Sequence, residues 1–393
     1  MSNPLQWIDD ELRRLDEVSL RRRLALREGP VGPTVHFDGR ELICFASNDY
    51  LALAGDERLV EAATASARRE GAGSGASPLI CGHYGVLAEL ERELAELEGT
   101  EAALVFPSGF AANLGTIAAL VGPGDLVLTD RKNHASLLDG CRLSRADVRA
   151  FRHADADQLD RLLRRRADKP GRRLVVTDSL FSMDGDVAPL ADLCEVCERH
   201  GAMLMIDEAH ATGVFGAGAR GVAEYLGVEE RVTVRVGTLS KALGAAGGFV
   251  AGSRKLIEWL VNRARPYIFS TAMPPAVAGA AAEAVRIVRR QPGRGAELLR
   301  CASDLRARLA GRGWSTGRSA SQIIPVVMGT PDRALALSSR LRAAGLLVPA
   351  IRPPTVPEGE ACLRISLTAG HSKQQIERLL AALDESGPAE AVS

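Results

Sequence analysis

Apolar positions along this chain change their period several times, and the changes mark out its elements. From residue 100 to about 255, short apolar runs alternate with amphipathic stretches. The runs are Ala102–Phe106, Leu126–Asp130, Leu174–Asp178, Met203–Asp207, Val232–Thr238 and Phe249–Ala251. Each has the length of a strand, and helices fall between most of them. That alternation predicts a largely parallel sheet covered on both faces.

Other patterns flank this stretch. Trp7, Ile8, Leu12, Leu15 and Leu24 predict an N-terminal helix reaching about residue 28, broken by Gly29-Pro30-Val31-Gly32-Pro33. Thr34–Phe37 and Glu41–Phe45 read as a strand pair turning at Asp38-Gly39. A helix follows over Glu57–Glu70, then a glycine-rich loop from Gly71 to Gly85. Leu87, Leu90, Leu94 and Leu97 put one apolar face on a helix over Val86–Glu98. A helix over 274–290 opens at Pro274-Pro275, and Gln291-Pro292-Gly293 marks a boundary. Beyond it, Ile323–Met328, Leu346–Ile351 and Leu363–Leu367 read as strands, and a last helix starts near Lys373. The expected organisation is an N-terminal segment over 1–48, a large domain over 49–290 and a smaller C-terminal α+β domain over 291–393.

Composition narrows the function. The chain has 393 residues, 49 basic and 49 acidic, so net charge is zero and nothing points to nucleic acid or an anionic membrane. Seven scattered cysteines suit a reducing, cytoplasmic setting. The acidic start lacks the apolar core of a secretory signal. The alanine-rich run over 276–285 carries Glu283 and is too short to span a bilayer.

Candidate chemistry collects at strand ends, where ligands bind in open parallel sheets. Lys241, one of five lysines, sits among small and apolar residues just past a predicted strand. Partial burial there disfavours the ammonium and leaves a nucleophilic amine, as a Schiff-base lysine requires. Ser108-Gly109-Phe110, His134, Ser182, Asp207, His210 and Thr238 follow the other runs in the same way. Together they suit pyridoxal phosphate. Backbone N–H groups at Ser108-Gly109-Phe110 and the Thr238 hydroxyl suit its phosphate. Asp207 suits its pyridine nitrogen, His134 its ring face, and Ser182 and His210 its phenolic oxygen.

Singly, each residue has a plainer reading. Asp207, Ser108 and His134 can cap helices, His210 can be a satisfied buried histidine, and Ser182 precedes a polar turn. Cys194 and Cys197 share a helical face with Leu190 and Leu193 and read as core packing, not as a metal or redox pair. Gly213–Gly218 lacks the dinucleotide fingerprint. Arg21-Arg22-Arg23 reads, by itself, as a solvated run.

Six segments resemble motifs of the α-oxoamine synthases, a family of pyridoxal phosphate enzymes of fold type I. They are Ser47–Leu51, Pro107–Asn113, Asn133–Leu137, Phe181–Asp186, Asp207–Gly213 and Thr238–Lys241. Phe269–Pro275 and Ala350–Pro357 are similar to the branch that serves biotin biosynthesis. The resemblance implies an α/β fold with a mostly parallel sheet in a large domain and a smaller C-terminal domain. It implies condensation of L-alanine with pimeloyl-CoA or pimeloyl-acyl-carrier protein, with loss of CO2, in a cytoplasmic homodimer.

Residue roles follow from the same resemblance. Lys241 carries the cofactor and moves protons at the substrate Cα. Asp207 pairs with the pyridinium, and His134 stacks on the ring and contacts substrate. Ser108, Gly109, Phe110, Ser182, His210 and Thr238 hold cofactor oxygens and phosphate. Ser270 and Thr271 reach the phosphate bound by the partner subunit. Arg21 and Thr355 bind the acyl substrate, and Asn48 and Arg352 position the amino-acid carboxylate. Glu208 stands where the family has a frequent aspartate and Ser240 where it has a glycine. A sister synthase such as glycine C-acetyltransferase, an aminotransferase and a catalytically inactive partner subunit are the alternatives.

Overall fold

The computed structural model describes residues 3–17, 20–22 and 24–387. Its strands are β1 (Arg27–Glu28), β2 (Thr34–Phe37), β3 (Arg40–Cys44), β4 (Ala102–Phe106), β5 (Leu126–Asp130), β6 (Asp147–Phe151), β7 (Arg173–Asp178), β8 (Met203–Asp207), β9 (Val234–Thr238), β10 (Gly248–Gly252), β11 (Ile323–Gly329), β12 (Leu346–Leu347), β13 (Ala350–Ile351) and β14 (Ala361–Ser366). The first five helices are α1 (Gln6–Glu17), α2 (Glu57–Glu70), α3 (Gly85–Glu98), α4 (Gly109–Leu120) and α5 (Ala135–Ser144).

Seven strands form the central sheet in the order β4-β10-β9-β8-β7-β5-β6. Only β10 runs against its neighbours. Side chains of a strand alternate between faces, and here both faces are apolar. Ala103 and Val105 of β4 enter one core cluster, while Leu104 and Phe106 enter the other. The same split holds for Val175 against Leu174 and Val176 on β7, and for Leu204 and Ile206 against Met205 on β8. Helices cover both faces, which gives three layers. With β10 reversed between β4 and β9, strands β4, β5, β7, β8 and β9 all point their carboxyl ends to one edge.

Two smaller sheets flank this core. The order β1-β2-β3-β12 joins the N-terminal hairpin to a strand from near the C-terminus, with β12 parallel to β3. The order β11-β14-β13 carries Arg364 in its middle strand.

Helices α2 and α3 match the sequence reading closely. Asp56 caps α2 by accepting from Arg58 N, and Gly99 ends α3 at φ +62°. Five expectations need correction. The first helix ends at Glu17 rather than near residue 28; it buries none of its residues, so no packing extends it. The loop over 71–85 contains one π-helical turn, Pro78–Gly82. Asp147–Phe151 is a strand, although most of it is exposed. Gly293–Ala310 is an 18-residue helix that the boundary reading left out. The run Leu346–Ile351 is split between β12 and β13, in different sheets. No described helix is long and apolar enough to cross a membrane.

Candidate active site

Lys241 lies in the loop after β9. Gly244 N donates to the Lys241 carbonyl, and Ala245 N to the Leu239 carbonyl, both within 2.9 Å. Gly244 sits at φ +60°, and a Cβ there would lie 2.5 Å from Ala54 N, so glycine is required for this loop to close on the 53–54 segment. Lys241 is partly buried behind this loop. Burial lowers the Lys241 ammonium from 10.5 to about 8, although Asp207 and Asp178 favour the charged form; Arg364 adds to the lowering. Reductive trapping of Lys241 by an aldehyde is therefore expected to be half-maximal near pH 8, falling below that pH as the amine protonates. A midpoint near the ordinary lysine value would mean a hydrated side chain.

Asp207 ends β8. Its Oδ1 accepts from Ala209 N at 2.8 Å, and its Oδ2 from Asn113 Nδ2 at 2.6 Å. Asn113 also donates to Ser136 Oγ at 2.9 Å. Ser136 N approaches His134 Nδ1 at 3.3 Å, and Ser136 Oγ lies 2.7 Å from the same nitrogen. An Nδ1 that accepts from the serine N–H leaves the imidazole proton on Nε2. Burial and the nearby Lys241 lower the His134 imidazolium, while Asp207 opposes them. His134 is thus a neutral donor at physiological pH. Its backbone N–H donates to Asp178 Oδ2 at 2.7 Å. Asp178 stands in register with Asp207 on the adjacent parallel strand. Burial and that second carboxylate push the Asp178 carboxyl well above the usual range.

His210 stands between two partners. Its Nε2 is 2.9 Å from Lys241 Nζ, and its Nδ1 is 2.6 Å from the hydroxyl of the fully buried Tyr50. Burial holds its imidazolium well below the ordinary range, helped by Lys241, Arg364 and His134. Arg364 reaches in from β14. Its guanidinium donates to Asn48 Oδ1 at 3.2 Å from both terminal nitrogens, and to the Ser182 carbonyl at 2.6 Å.

The edge is closed by α4. Ser108 is its N-cap, accepting from Ala111 N at 3.1 Å. The preceding amides, of Gly109 and Phe110, open the helix at the positive end of its dipole. A Cβ on Gly248 would lie 2.4 Å from Gly109 N, so glycine at the start of β10 lets this helix terminus dock on the sheet. Thr238 Oγ1 lies beside Gly109 and donates to the Gly247 carbonyl at 2.9 Å.

Of the residues singled out in the sequence, Lys241, His134, Asp207, His210, Asn48, Ser182 and Thr238 gather at this edge with Ser108, Gly109 and Phe110. The Phe110 ring is 45% exposed and meets His134 edge-on, with centroids 6.4 Å apart. Ser270 and Thr271 line a small cavity beside Phe106 and Pro107. Arg21, Arg352 and Thr355 line a separate groove of about 750 Å³ with Leu12, Leu15 and Leu20. Arg21 pairs there with Asp16 at 2.5 Å. Asn48 therefore sits on Arg364, whereas Arg352 belongs to the groove. Sequence reasoning missed Asn113, Asp178, Tyr50 and Arg364. Asn113 had a readable signal, a lone amide within the apolar helix Gly109–Leu120.

Cys194 and Cys197 are buried in one helix, and all seven cysteines are free thiols.

A model of the family described as aminotransferase class I and II matches residues 40–383. The chain is 51% identical to 8-amino-7-oxononanoate synthase from Anaeromyxobacter dehalogenans strain 2CP-1, over 96% of this chain and 95% of the relative. Among solved structures, serine palmitoyltransferase from Sphingomonas wittichii superposes with a TM-score of 0.92 at 34% identity, over 98% of each chain. A serine palmitoyltransferase variant from S. paucimobilis, with a bound PLP–myriocin aldimine, gives a TM-score of 0.91 at 31% identity, again over 98% of each chain.

Proposed function

From the premise that this chain belongs to the class I and II aminotransferase family, in its α-oxoamine synthase branch, we infer that it condenses L-alanine with a pimeloyl thioester. The products are 8-amino-7-oxononanoate, CO2 and the free thiol, a step of biotin biosynthesis. The observation that carries this reading is the 51% identity, across 96% of the chain, to a synthase of that name. We propose pyridoxal phosphate as the cofactor.

The residues present fit that group. Lys241 supplies an amine titrating near 8, Asp207 a carboxylate fixed at both oxygens, and α4 a helix terminus for a phosphate. When bound, pyridoxal phosphate supplies an electron sink that stabilises negative charge at the amino-acid Cα.

The chain's own groups then divide the work. Lys241 would hold the cofactor through its neutral amine, and the same amine, once free, would take the proton from the amino-acid Cα. Asp207 would pair with the ring nitrogen and favour its protonated form. Asn113 and Ala209 hold that carboxylate in place, so no reorganisation is needed as charge develops. His134 would pack against the cofactor ring, with an Nε2 proton to donate. Asn48 and Arg364 offer an amide and a guanidinium to the substrate carboxylate, a pairing the guanidinium fork suits. Arg21, Arg352 and Thr355 take the acyl thioester, whose seven-carbon chain and terminal carboxylate suit a groove with three arginines, Arg21, Arg22 and Arg352, and an apolar wall. Orienting both substrates would supply part of the rate.

A homodimer and a cytoplasmic location complete the reading. Ser270 and Thr271 would contact the phosphate bound in the partner subunit, and seven free thiols suit a reducing compartment.

The high structural likeness to serine palmitoyltransferases favours one second reading, a sister synthase that uses another amino acid. Thiol release separates them. With pimeloyl-CoA and the cofactor-loaded chain, release is expected with L-alanine and not with glycine or L-serine. Release only with glycine or L-serine would move the chain to a sister reaction. Pimeloyl-carrier protein, tested alongside, identifies the acyl carrier.

A further inference from the structure

Tyr50 is fully buried, yet its hydroxyl belongs to no helix cap or strand ladder. It faces His210 Nδ1 at 2.6 Å, Asn48 Oδ1 at 3.2 Å and Arg364 Nη2 at 3.5 Å. A phenol has one proton; His210 Nδ1 and Asn48 Oδ1 lie within hydrogen-bond distance as acceptors, and the side chains of Gln322 and Ser366 also approach it. Asn48 Oδ1 already receives two N–H groups from Arg364. The His210 nitrogen is closer by 0.6 Å, from the same two distances. Arg364 fills the acceptor side of the phenol. Burial raises the Tyr50 phenol, so the proton stays on its oxygen.

We propose that Tyr50 is a positioning residue whose hydroxyl donates to His210 Nδ1 and so fixes the imidazole proton on Nε2, aimed at the lone pair of Lys241. With Nδ1 accepting, neutral His210 carries its hydrogen on Nε2, 2.9 Å from Lys241 Nζ. That N–H finds a partner only in the uncharged amine, because an ammonium has no acceptor. The opposite arrangement puts the proton on Nδ1 and leaves Nε2 to accept from a charged Lys241. The Tyr50 proton selects between the two. Other groups facing this pair do not make the choice. Asp207 and Asp178 act on Lys241 from β8 and β7, and Arg364 and His134 act on His210, all through charge rather than through a hydrogen bond to Nδ1. Gln322 Nε2 donates to the His210 carbonyl at 2.8 Å and steadies the backbone without touching the ring nitrogens.

This inference rests on the reading of Lys241 as the cofactor-binding amine, and its test separates the two. In the cofactor-free full chain labelled with ¹⁵N-histidine, the His210 Nδ1 resonance is expected at a pyridine-like position and Nε2 at a pyrrole-like one. In Tyr50→Phe, which keeps the buried ring, the two resonances are expected to move towards each other as the tautomers mix. The midpoint pH for Schiff-base formation with pyridoxal phosphate is expected to rise by about one unit, a tenfold change in free amine. A pyrrole-like Nδ1 in the parent chain overturns the proposal without recourse to the variant, should Tyr50→Phe not fold. An unchanged midpoint and tautomer in a folded Tyr50→Phe also overturn it. No Schiff base at any pH in the parent chain would instead refute the cofactor reading, while the resonances still judge Tyr50.

Discussion

Lys241→Ala is expected to lower thiol release from pimeloyl-CoA and L-alanine by roughly 10⁴-fold or more, taking proton transfer alone at 10²–10⁴ and adding the lost covalent attachment. Two functions disappear with one amine. On the proposed function, the cofactor aldehyde would lose its covalent anchor, and the substrate Cα the base that takes its proton. No neighbour can substitute. His210 lies within 2.9 Å of the missing nitrogen, but its Nδ1 is engaged by Tyr50 and its imidazolium is strongly disfavoured. The fold is expected to survive, because Lys241 lies in a loop held by backbone bonds to Gly244 and Gly247 rather than by its side chain. A near-parental melting temperature together with lost turnover identifies a chemical defect. Parental turnover by the variant would remove Lys241 from the mechanism.

Asp207→Asn is the second large effect, expected to lower the rate by roughly 10²–10³-fold, the cost of removing one fixed charge from a site of developing charge. The amide keeps the volume and can still accept from Ala209 N, but it cannot hold a proton on a pyridine nitrogen. A second readout gives the sign independently. The Asp207 carboxylate favours the charged form of Lys241, so its loss should push the lysine below its value of about 8. Schiff-base formation should then reach half-maximum at a lower pH than in the parent chain. Tyr50→Phe moves the same midpoint upward, so the two variants are distinguished by direction. An unchanged midpoint in Asp207→Asn would show that desolvation alone governs the amine.

The strand ends were legible because burial on both faces forces continuous apolar runs, and polar residues stand out where such runs stop. Lys241, Asp207, His210 and His134 were found this way. Reversal of β10 was also within reach. A parallel return needs a crossover of a dozen or more residues, and only residues 239–247 separate β9 from β10. The split of Leu346–Ile351 was hidden by its apolar run; Pro349 lacks the N–H that a continuous strand would need there, and the chain changes sheets around it. Arg364 and Tyr50 were hidden for another reason. Arg364 lies in a stretch that reads as an ordinary strand, Tyr50 lies in the Ser47–Leu51 motif without a role assigned to it, and each makes key contacts with residues far away in sequence. Asp178 was read as a strand terminus, but register, which pairs it with Asp207, is a property of the folded sheet.

Strand β12, lying parallel to β3, gives the order of synthesis a consequence. A ribosome delivers Lys241, His134 and Asp207 while the strand that completes the N-terminal sheet is still unmade. Ser47 and Tyr50 depend on later residues as well, since Ser366 Oγ donates to the Ser47 carbonyl at 2.7 Å and Ala369 N to the Tyr50 carbonyl at 2.7 Å. A chain ending before β12 would lack the parallel partner of β3 and the bonds that hold the Ser47 and Tyr50 carbonyls, so truncation near the C-terminus would be felt in the N-terminal sheet.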